Sequence, residues 1–183
     1  MASEFPRFRY HPDPIATGSV VPSDATCALC SEARGYIYTG PVHCEEEHEA
    51  HLCPWCIADG TAFEMLGAEF TDSEGVGGFG AWDAVPGSVI DEIAFRTPGF
   101  NGWQQERWFA CCGDGAEFLG PMGAKELAAL GPAAIEAIRT GMGWERGRKW
   151  EEHLRALDRH GEPTAYLFRC ISCRCYGGYS DLT

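Results

Sequence analysis

The chain has 183 residues, enough to bury the core of one domain, and 45% of them are apolar, which excludes a largely disordered chain. Its formal net charge of -13, from 27 acidic against 14 basic residues, excludes nucleic acid as a partner because phosphate backbones repel such a surface. This negative charge suits a protein partner that is basic. No apolar run reaches the roughly 18 residues that span a bilayer, so no membrane partner is expected.

The expected compartment decides how the cysteines are interpreted. The first residues, MASEFPRFRYHPDP, contain no apolar signal segment, so the cytoplasm is the expected location. Disulfide frameworks are rare there, and a chain of this length does not need cross-links in order to fold. The ten cysteines therefore indicate metal or thiol chemistry.

The N-terminal third predicts short elements separated by turns. Residues 1–22 are rich in proline and aromatic residues and predict an extended segment that lies over the domain. The Cys27-x2-Cys30 pair predicts a turn before a strand over 35–40, and the polar stretch 43–51 predicts a hairpin loop. The following LCPWCIADGTAFEML (52–66) predicts a helix with Pro54 in its first turn.

A Gly-rich, acidic segment over 71–88 predicts a loop. It contains a G-x-G-x-x-G pattern at Gly75, Gly77 and Gly80, which resembles a dinucleotide-binding motif. That motif requires a strand before it and a helix after it, whereas here acidic residues precede it and Pro86 interrupts the segment on its C-terminal side. We therefore assign no nucleotide to it.

The rest of the chain predicts helices and then a strand pair. A helix containing Val89 ends at Pro98-Gly99, and a strand over 103–112 leads into Cys111 and Cys112. Helices are predicted over 123–130, 132–140 and 145–159, and strands over 164–170 and 176–182. The prediction is a single α+β domain, 1–183, with treble-clef-like or zinc-ribbon-like modules near both ends. The N-terminal zinc module covers 20–68, a second combines 103–120 with 162–182, and the helices lie in 122–160.

Cys27, Cys30, Cys53 and Cys56 form two C-x-x-C pairs separated by 22 residues. Zn²⁺ prefers four tetrahedral ligands, and two such pairs supply them from two compact chelating turns. The second pair lies in the first turn of the predicted helix, where the helix dipole favours thiolates. The pattern predicts a structural zinc site. The alternatives are a redox pair at Cys53 and Cys56, which lacks the buried strand that should precede it, and buried apolar thiols.

A second site is predicted from Cys112, Cys170 and Cys173, with either Cys111 or Cys175 as the fourth ligand. Adjacent cysteines on a strand point to opposite sides, so Cys111 and Cys112 are not both expected to bind one ion. A site with only three cysteines would leave an open, catalytic zinc position, and the remaining alternative is a set of core thiols. The group His43, Cys44, His48 and His51 is interpreted as a solvated loop rather than a metal site.

Five segments resemble the CbrC-like family of bacterial proteins over essentially the whole chain: FRYHPDPIATG, LCPWCIADG, RTPGFNGWQQERW, CCGDGAEFLG and TAYLFRCISC. The resemblance implies a cytoplasmic bacterial protein associated with colicin tolerance, and it implies no reaction. Cys27, Cys30, Cys53 and Cys56 match the family's paired cysteines, and Cys112, Cys170 and Cys173 match further family positions. Two positions depart from the family's pattern, because Cys111 stands where a histidine is common and Ala116 where a cysteine is common.

Three functions are consistent with these residues. The first is a zinc-stabilised binding or adaptor protein associated with stress or colicin tolerance, with a candidate contact surface at Trp103, Gln104, Gln105 and Trp108. The second is a zinc-dependent hydrolase that uses an incompletely ligated second site with Asp114 or a nearby glutamate as its base. The third is a thiol–disulfide oxidoreductase built on Cys53 and Cys56. We favour the first, because the chain contains none of the common hydrolase or phosphate-binding motifs.

Overall fold

The computed structural model describes residues 4–44 and 51–181. The strands are β1 (Val20–Pro22), β2 (Tyr36–Tyr38), β3 (Ala110–Cys111), β4 (Asp114–Gly115), β5 (Glu117–Met122), β6 (Ala165–Arg169) and β7 (Tyr176–Ser180). The helices are α1 (Pro54–Ala58), α2 (Thr61–Leu66), α3 (Gly87–Arg96), α4 (Ala124–Leu130), α5 (Pro132–Gly141) and α6 (Arg148–Ala156). The predicted α+β class is confirmed, with cysteine clusters near both ends. Within the described ranges no helix is both long and apolar enough to cross a bilayer.

An antiparallel sheet in the order β5-β6-β7 forms the centre of the fold. The first four residues of β6 are buried, and β6 pairs with a neighbour on each side. Aromatic rings cover the sheet, among them Phe100, Trp108, Phe118 and Phe168 with centroids 4.1 to 6.0 Å apart. The strands expected near 164–170 and 176–182 are confirmed, whereas β5 was not predicted from the sequence.

The predicted helical segment is confirmed as α4, α5 and α6, although α6 starts three residues later and ends three residues earlier than expected. Gly147, with φ 150°, precedes α6 and delays its start. α5 packs on the sheet through Gly141, where an added Cβ would lie 1.8 Å from the carbonyl oxygen of Gly178 in β7. Only a glycine permits this distance between helix and strand.

The N-terminal module combines a small hairpin with two short helices. β1 pairs antiparallel with β2, and the Cys27–Cys30 turn lies in the connection between these strands. The expected single helix is wrong, because Gly60 adopts φ 86° and separates α1 from α2. The expected strand over 103–112 is confirmed only as β3, with an isolated bridge between Trp108 and Val76. The predicted hairpin loop at 43–51 lies largely outside the described residues.

A buried histidine ties the N-terminal segment to the domain, as expected of a segment lying over it. His11 has no exposed surface; its Nδ1 lies 2.6 Å from the carbonyl oxygen of Pro98 and its Nε2 lies 2.7 Å from Oγ1 of Thr17. Nδ1 must donate to the carbonyl, so Nε2 of the neutral ring accepts from the hydroxyl. Burial lowers the pKa of His11 to about 4. The ring is therefore neutral at neutral pH.

We expect Gly141→Ala to lower the free energy of unfolding by about 2 kcal/mol or more, because the new methyl group forces α5 away from Gly178. Urea unfolding followed by circular dichroism measures this change. Gly87→Ala is the matched control: it also lies in a helix, but its Cβ meets nothing within 4 Å. That variant should be neutral or stabilised by up to about 1 kcal/mol. Equal effects of the two substitutions would contradict the close contact between α5 and β7.

We expect stability to depend on the protonation of His11. Because the folded pKa is depressed to about 4 from 6.5, its contribution is complete above about pH 6.5 and is lost as the pH falls toward 4. Between about pH 7 and pH 5 the loss is about 2 kcal/mol. The stability difference between wild type and His11→Asn, measured by urea unfolding, should narrow by this amount. Acid also affects the thiols, but it does so equally in wild type and in His11→Asn, so this effect cancels in the difference. A stability difference that stays constant with pH would show that His11 is not buried as a neutral ring.

Candidate metal centres

The first cluster joins the two predicted C-x-x-C pairs. The Sγ atoms of Cys27, Cys30, Cys53 and Cys56 all lie within 4.8 Å of one another. Cys27 and Cys56 are 3.9 Å apart at sulfur, and Cys30 and Cys53 are 3.8 Å apart. A tetrahedral Zn²⁺ with bonds of about 2.3 Å places its sulfur ligands about 3.8 Å apart. The cluster therefore has the size of a four-thiolate zinc site.

Local backbone structure positions these four thiols. Cys53 is the N-cap of α1, and Pro54 in the first turn leads directly to Cys56 one turn on. The backbone N–H of Cys53 also donates to Sγ of Cys27 at 3.4 Å, which joins the helix start to the turn. Cys27, Cys53 and Cys56 are almost fully buried, and Ile37 of β2 packs against them. The site is closed to solvent on most sides.

The thiols cannot all ionise without a cation. Burial alone would raise the pKa of Cys27, but backbone N–H donors from Cys30, Cys53 and Leu29 outweigh it and lower the pKa to about 7. Burial raises the pKa of Cys53 to about 11 and raises that of Cys56 further, and the charge on Cys27 adds to both shifts. A divalent cation at the centre would remove this repulsion and would make all four thiolates stable.

The second cluster consists of Cys111, Cys170, Cys173 and Cys175, whose sulfur atoms also lie within 4.8 Å of one another. Three of the separations are 3.7 Å (Cys111 to Cys173), 3.5 Å (Cys111 to Cys175) and 3.2 Å (Cys173 to Cys175). These distances are close to, and slightly below, those of a zinc tetrahedron. Both of the residues weighed as the fourth ligand, Cys111 and Cys175, belong to the set.

Cys112 was expected in this set and lies outside it. The residue comes directly after β3 with φ 58°, a left-handed conformation that begins the turn into β4, and its side chain is exposed. Its sulfur lies 3.8 Å from that of Cys111 and also interacts with the thiols of Cys173 and Cys170, so it borders the cluster without joining the compact group of four. Strand alternation does not hold for these two neighbours, because the left-handed backbone of Cys112 leaves the two sulfurs on the same side. Ala116, the other departure from the family pattern, is buried in the core.

The turns that carry the two clusters have the same backbone hydrogen bonds. In each, the first cysteine donates to the carbonyl five residues later and accepts from the N–H four residues later. With the N–H donor named first and the carbonyl acceptor second, these bonds are Cys27 to Glu32 (2.9 Å), Ser31 to Cys27 (2.9 Å), Cys170 to Cys175 (2.8 Å) and Arg174 to Cys170 (3.1 Å). Ser31 and Arg174 both adopt positive φ, 58° and 62°. Two copies of one zinc-knuckle conformation therefore provide two of the four sulfurs in the first cluster and, because Cys175 closes the second turn, three of the four in the second.

The second cluster is much more exposed than the first. Cys173 and Cys175 are exposed and Cys111 is partly exposed, whereas Cys170 is buried. The backbone N–H of Cys175 and the neighbouring thiols lower the pKa of Cys173 to about 6, while burial raises the pKa of Cys111. The four thiols form no disulfide. A metal ion here would be within reach of solvent and of other ligands.

The other candidate residues have different roles. Asp114, considered as a base, forms an ion pair with Arg9 and accepts a hydrogen bond of 2.8 Å from the hydroxyl of Tyr10. Trp108 is fully buried, whereas Trp103 is 60% exposed. His43 and Cys44 are not part of either cluster, and His48 lies outside the described residues.

The fold and the two clusters define a mixed α+β domain with two four-cysteine candidate metal centres. The chain belongs to the family described as Uncharacterised protein family (UPF0167), which matches residues 5–182. A UPF0167 protein of Mycobacterium bovis and one of Mycobacterium tuberculosis are each 49% identical to it over 97% of this chain and 94% of theirs. A UPF0167 protein of Pseudomonas aeruginosa is 39% identical over 94% of both chains. No solved structure matches the chain.

We expect the purified protein to contain two zinc ions per chain, and each cluster to lose its ion independently. Cys53→Ser should reduce the content to one ion and cost several kcal/mol of stability, because structural zinc binding is folding free energy. Cys111→Ser should also leave one ion. Elemental mass spectrometry on protein purified without added metal, together with thermal unfolding, measures both effects.

The neighbouring residue supplies the control for the second centre. Cys112→Ser removes an adjacent thiol that is not in the compact set, so this variant should retain two ions. Loss of an ion from Cys112→Ser with retention in Cys111→Ser would reverse the assignment. Wild-type protein that holds no metal would refute both centres.

Proposed function

We propose that this chain is a zinc protein with two four-thiolate centres, which acts by binding a protein partner rather than by catalysis. The observation that carries the proposal is the presence of two sets of four sulfur atoms at zinc-like separations. In this proposal the first, buried centre is structural. The second holds the β6–β7 turn and leaves its metal near the surface.

Full ligation argues against a zinc-dependent hydrolase. Catalytic zinc keeps one position for water, whereas both clusters offer four sulfur ligands. The hydrolase hypothesis also needs a base, and the carboxylate of Asp114 is already engaged by Arg9 and Tyr10. An incompletely ligated second site therefore receives no support from the arrangement of its thiols.

Burial argues against a thiol–disulfide oxidoreductase at the first cluster. Redox-active cysteines sit in partly exposed environments, whereas Cys53 and Cys56 are 0% and 3% exposed. Their sulfurs are shared with Cys27 and Cys30 in one compact group. A metal ligand role uses this geometry, and an exchange reaction with another protein would not reach it.

The charge of the chain supports a basic partner. With a net charge of -13, complementary charge would accelerate association and favour specificity. The CbrC-like resemblance adds a setting to this proposal: a bacterial cytoplasmic protein whose partner acts in stress or colicin tolerance. Both the compartment and the setting belong to the proposal.

In a strain that lacks its own copy, we expect wild-type protein to restore colicin tolerance and to cross-link to a protein of positive net charge. Salt of about 0.5 M should abolish that capture, because the Debye length falls to a few ångströms. Cys53→Ser should lose both properties. Survival assays and identification of the cross-linked chains by mass spectrometry test this.

Cys112→Ser is the matched control, since it removes a cysteine outside both compact sets and should behave as wild type. Colicin tolerance unaffected by the deletion would refute the physiological setting. Absence of any basic partner enriched over the Cys53→Ser bait would refute the adaptor function. Zinc-dependent hydrolysis of an ester or phosphate probe would favour the enzyme hypothesis instead.

A further inference from the structure

A cavity of about 310 Å³ lies apart from both cysteine clusters. Three distant stretches of chain meet around it: residues 17–19, 100–103 and 159–166, with Pro121 of β5 between them. Its volume is at the lower end of the range for small-molecule sites. No cysteine lines it, so the metal centres do not account for it.

Aromatic side chains form much of its wall. Phe100 is buried and stacks on Phe118 with ring centroids 4.1 Å apart, which fixes the ring in place. Trp103 is 60% exposed, and its indole Nε1–H donates to the carbonyl oxygen of Gly161 at 3.1 Å. An exposed tryptophan held by a hydrogen bond at the cavity suits contact with a flat ligand.

The aromatic wall is held from behind by a buried carboxylate. Asp181 is 1% exposed and accepts hydrogen bonds from the hydroxyl of Tyr166 at 2.7 Å and from the backbone N–H of Trp103 at 3.3 Å. Both donors belong to residues that line the cavity. Asp181 itself is not among the lining residues, so its charge positions the wall rather than facing the cavity.

The ionisable side chains that line the cavity are basic or aromatic. Arg159 and His160 line it, and no aspartate or glutamate among the described residues does. Arg159 forms no ion pair within the described residues. Its Nη2 donates to the backbone carbonyl of Ala16 at 3.2 Å, and its Nε is buried without an acceptor. The guanidinium thus brings an uncompensated positive charge to the cavity.

The position of the walls relative to one another is also fixed. His11 joins Thr17, on one side of the cavity, to Pro98, just before the segment on the other side. The segments FRYHPDPIATG, RTPGFNGWQQERW and TAYLFRCISC, which carried much of the sequence resemblance, all contribute lining residues. The first two contribute no cysteine to either cluster.

We propose that this cavity binds a small aromatic carboxylate. Its ring would contact the aromatic wall at Phe100 and Trp103, and its carboxylate would pair with Arg159. Guanidinium–carboxylate pairs form charge-assisted hydrogen bonds that are stronger than neutral ones. Inorganic phosphate satisfies the charge but leaves the aromatic wall without a partner, which favours the aromatic carboxylate.

The test uses the full zinc-loaded chain and benzoate as the probe, with benzyl alcohol and inorganic phosphate for comparison. Benzoate should bind saturably with a Kd of about 1 mM or below, as measured by titration of the backbone amide NMR signals of residues 100–103. Benzyl alcohol, which has the ring without the charge, and phosphate, which has the charge without the ring, should each bind at least about tenfold more weakly.

Arg159→Gln should weaken benzoate binding at least about tenfold, and Arg159→Lys should weaken it less. Arg155→Gln is the matched control, because Arg155 is exposed and does not line the cavity. Trp103→Ala is the second variant; it removes an exposed side chain, so the fold should survive while benzoate binds several-fold more weakly. Zinc content and thermal unfolding are measured for each variant.

Four outcomes would overturn the proposal: no saturable binding of benzoate at about 10 mM, equal binding of benzyl alcohol, phosphate binding as tight as that of benzoate, or unchanged affinity in Arg159→Gln. These outcomes are independent of the zinc proposal. A variant that keeps two zinc ions but loses benzoate affects only the cavity. Loss of zinc from Cys53→Ser tests only the metal centres.

Discussion

Repulsion among closely spaced thiolates is the constraint on which both ends of the fold depend. Four sulfurs within 4.8 Å cannot all carry charge unless a cation lies between them. At the N-terminal end a buried apolar cluster that includes Val20, Leu52 and Ile57 packs the elements together, but regular secondary structure is short, since β1 and β2 have three residues each and α1 has five. Helices this short are not stable by themselves in water. The bound ion would therefore supply the cross-links that regular secondary structure does not provide there.

The two centres share the same knuckle turn, but different elements supply their remaining ligands. This difference explains why one centre is buried and the other is exposed. Cys27 and Cys30 meet the first turn of a helix, which buries the sulfurs. Cys170 and Cys173 lie in the turn that directly joins β6 to β7, and Cys111 approaches from the β3–β4 hairpin. The second ion would thus close a turn of the central sheet while remaining near solvent. The two sites differ in exposure because different elements surround the knuckle, not because the knuckle itself differs.

Features encoded by neighbouring residues could be predicted from the sequence, and features set by distant ones could not. The paired cysteines, the buried β6 and the helices of 122–160 are all consequences of local spacing and composition. The choice of Cys111 over Cys112 depends on the backbone of one turn residue, which strand alternation leaves open. β5 contains Gly120 and Pro121, which weaken any strand pattern. The cavity could not be predicted because the three stretches that form most of its wall, 17–19, 100–103 and 159–166, are more than 50 residues apart along the chain.

The distribution of charge distinguishes the acidic protein surface, proposed to attract a basic partner, from the cavity, proposed to bind an anion. Within the described residues no acidic side chain lies on the wall of the cavity, and two buried acids, Asp181 and Glu106, accept hydrogen bonds from backbone N–H groups of lining residues. Because Asp181 is bonded to Tyr166 and Trp103, it organises the wall at short range. Surface acids are screened by salt over about 10 Å, whereas the guanidinium of Arg159 would act on a ligand in direct contact. The two proposals are therefore compatible: the overall negative charge would attract a basic partner at long range, while Arg159 would hold an anion in the cavity by direct contact.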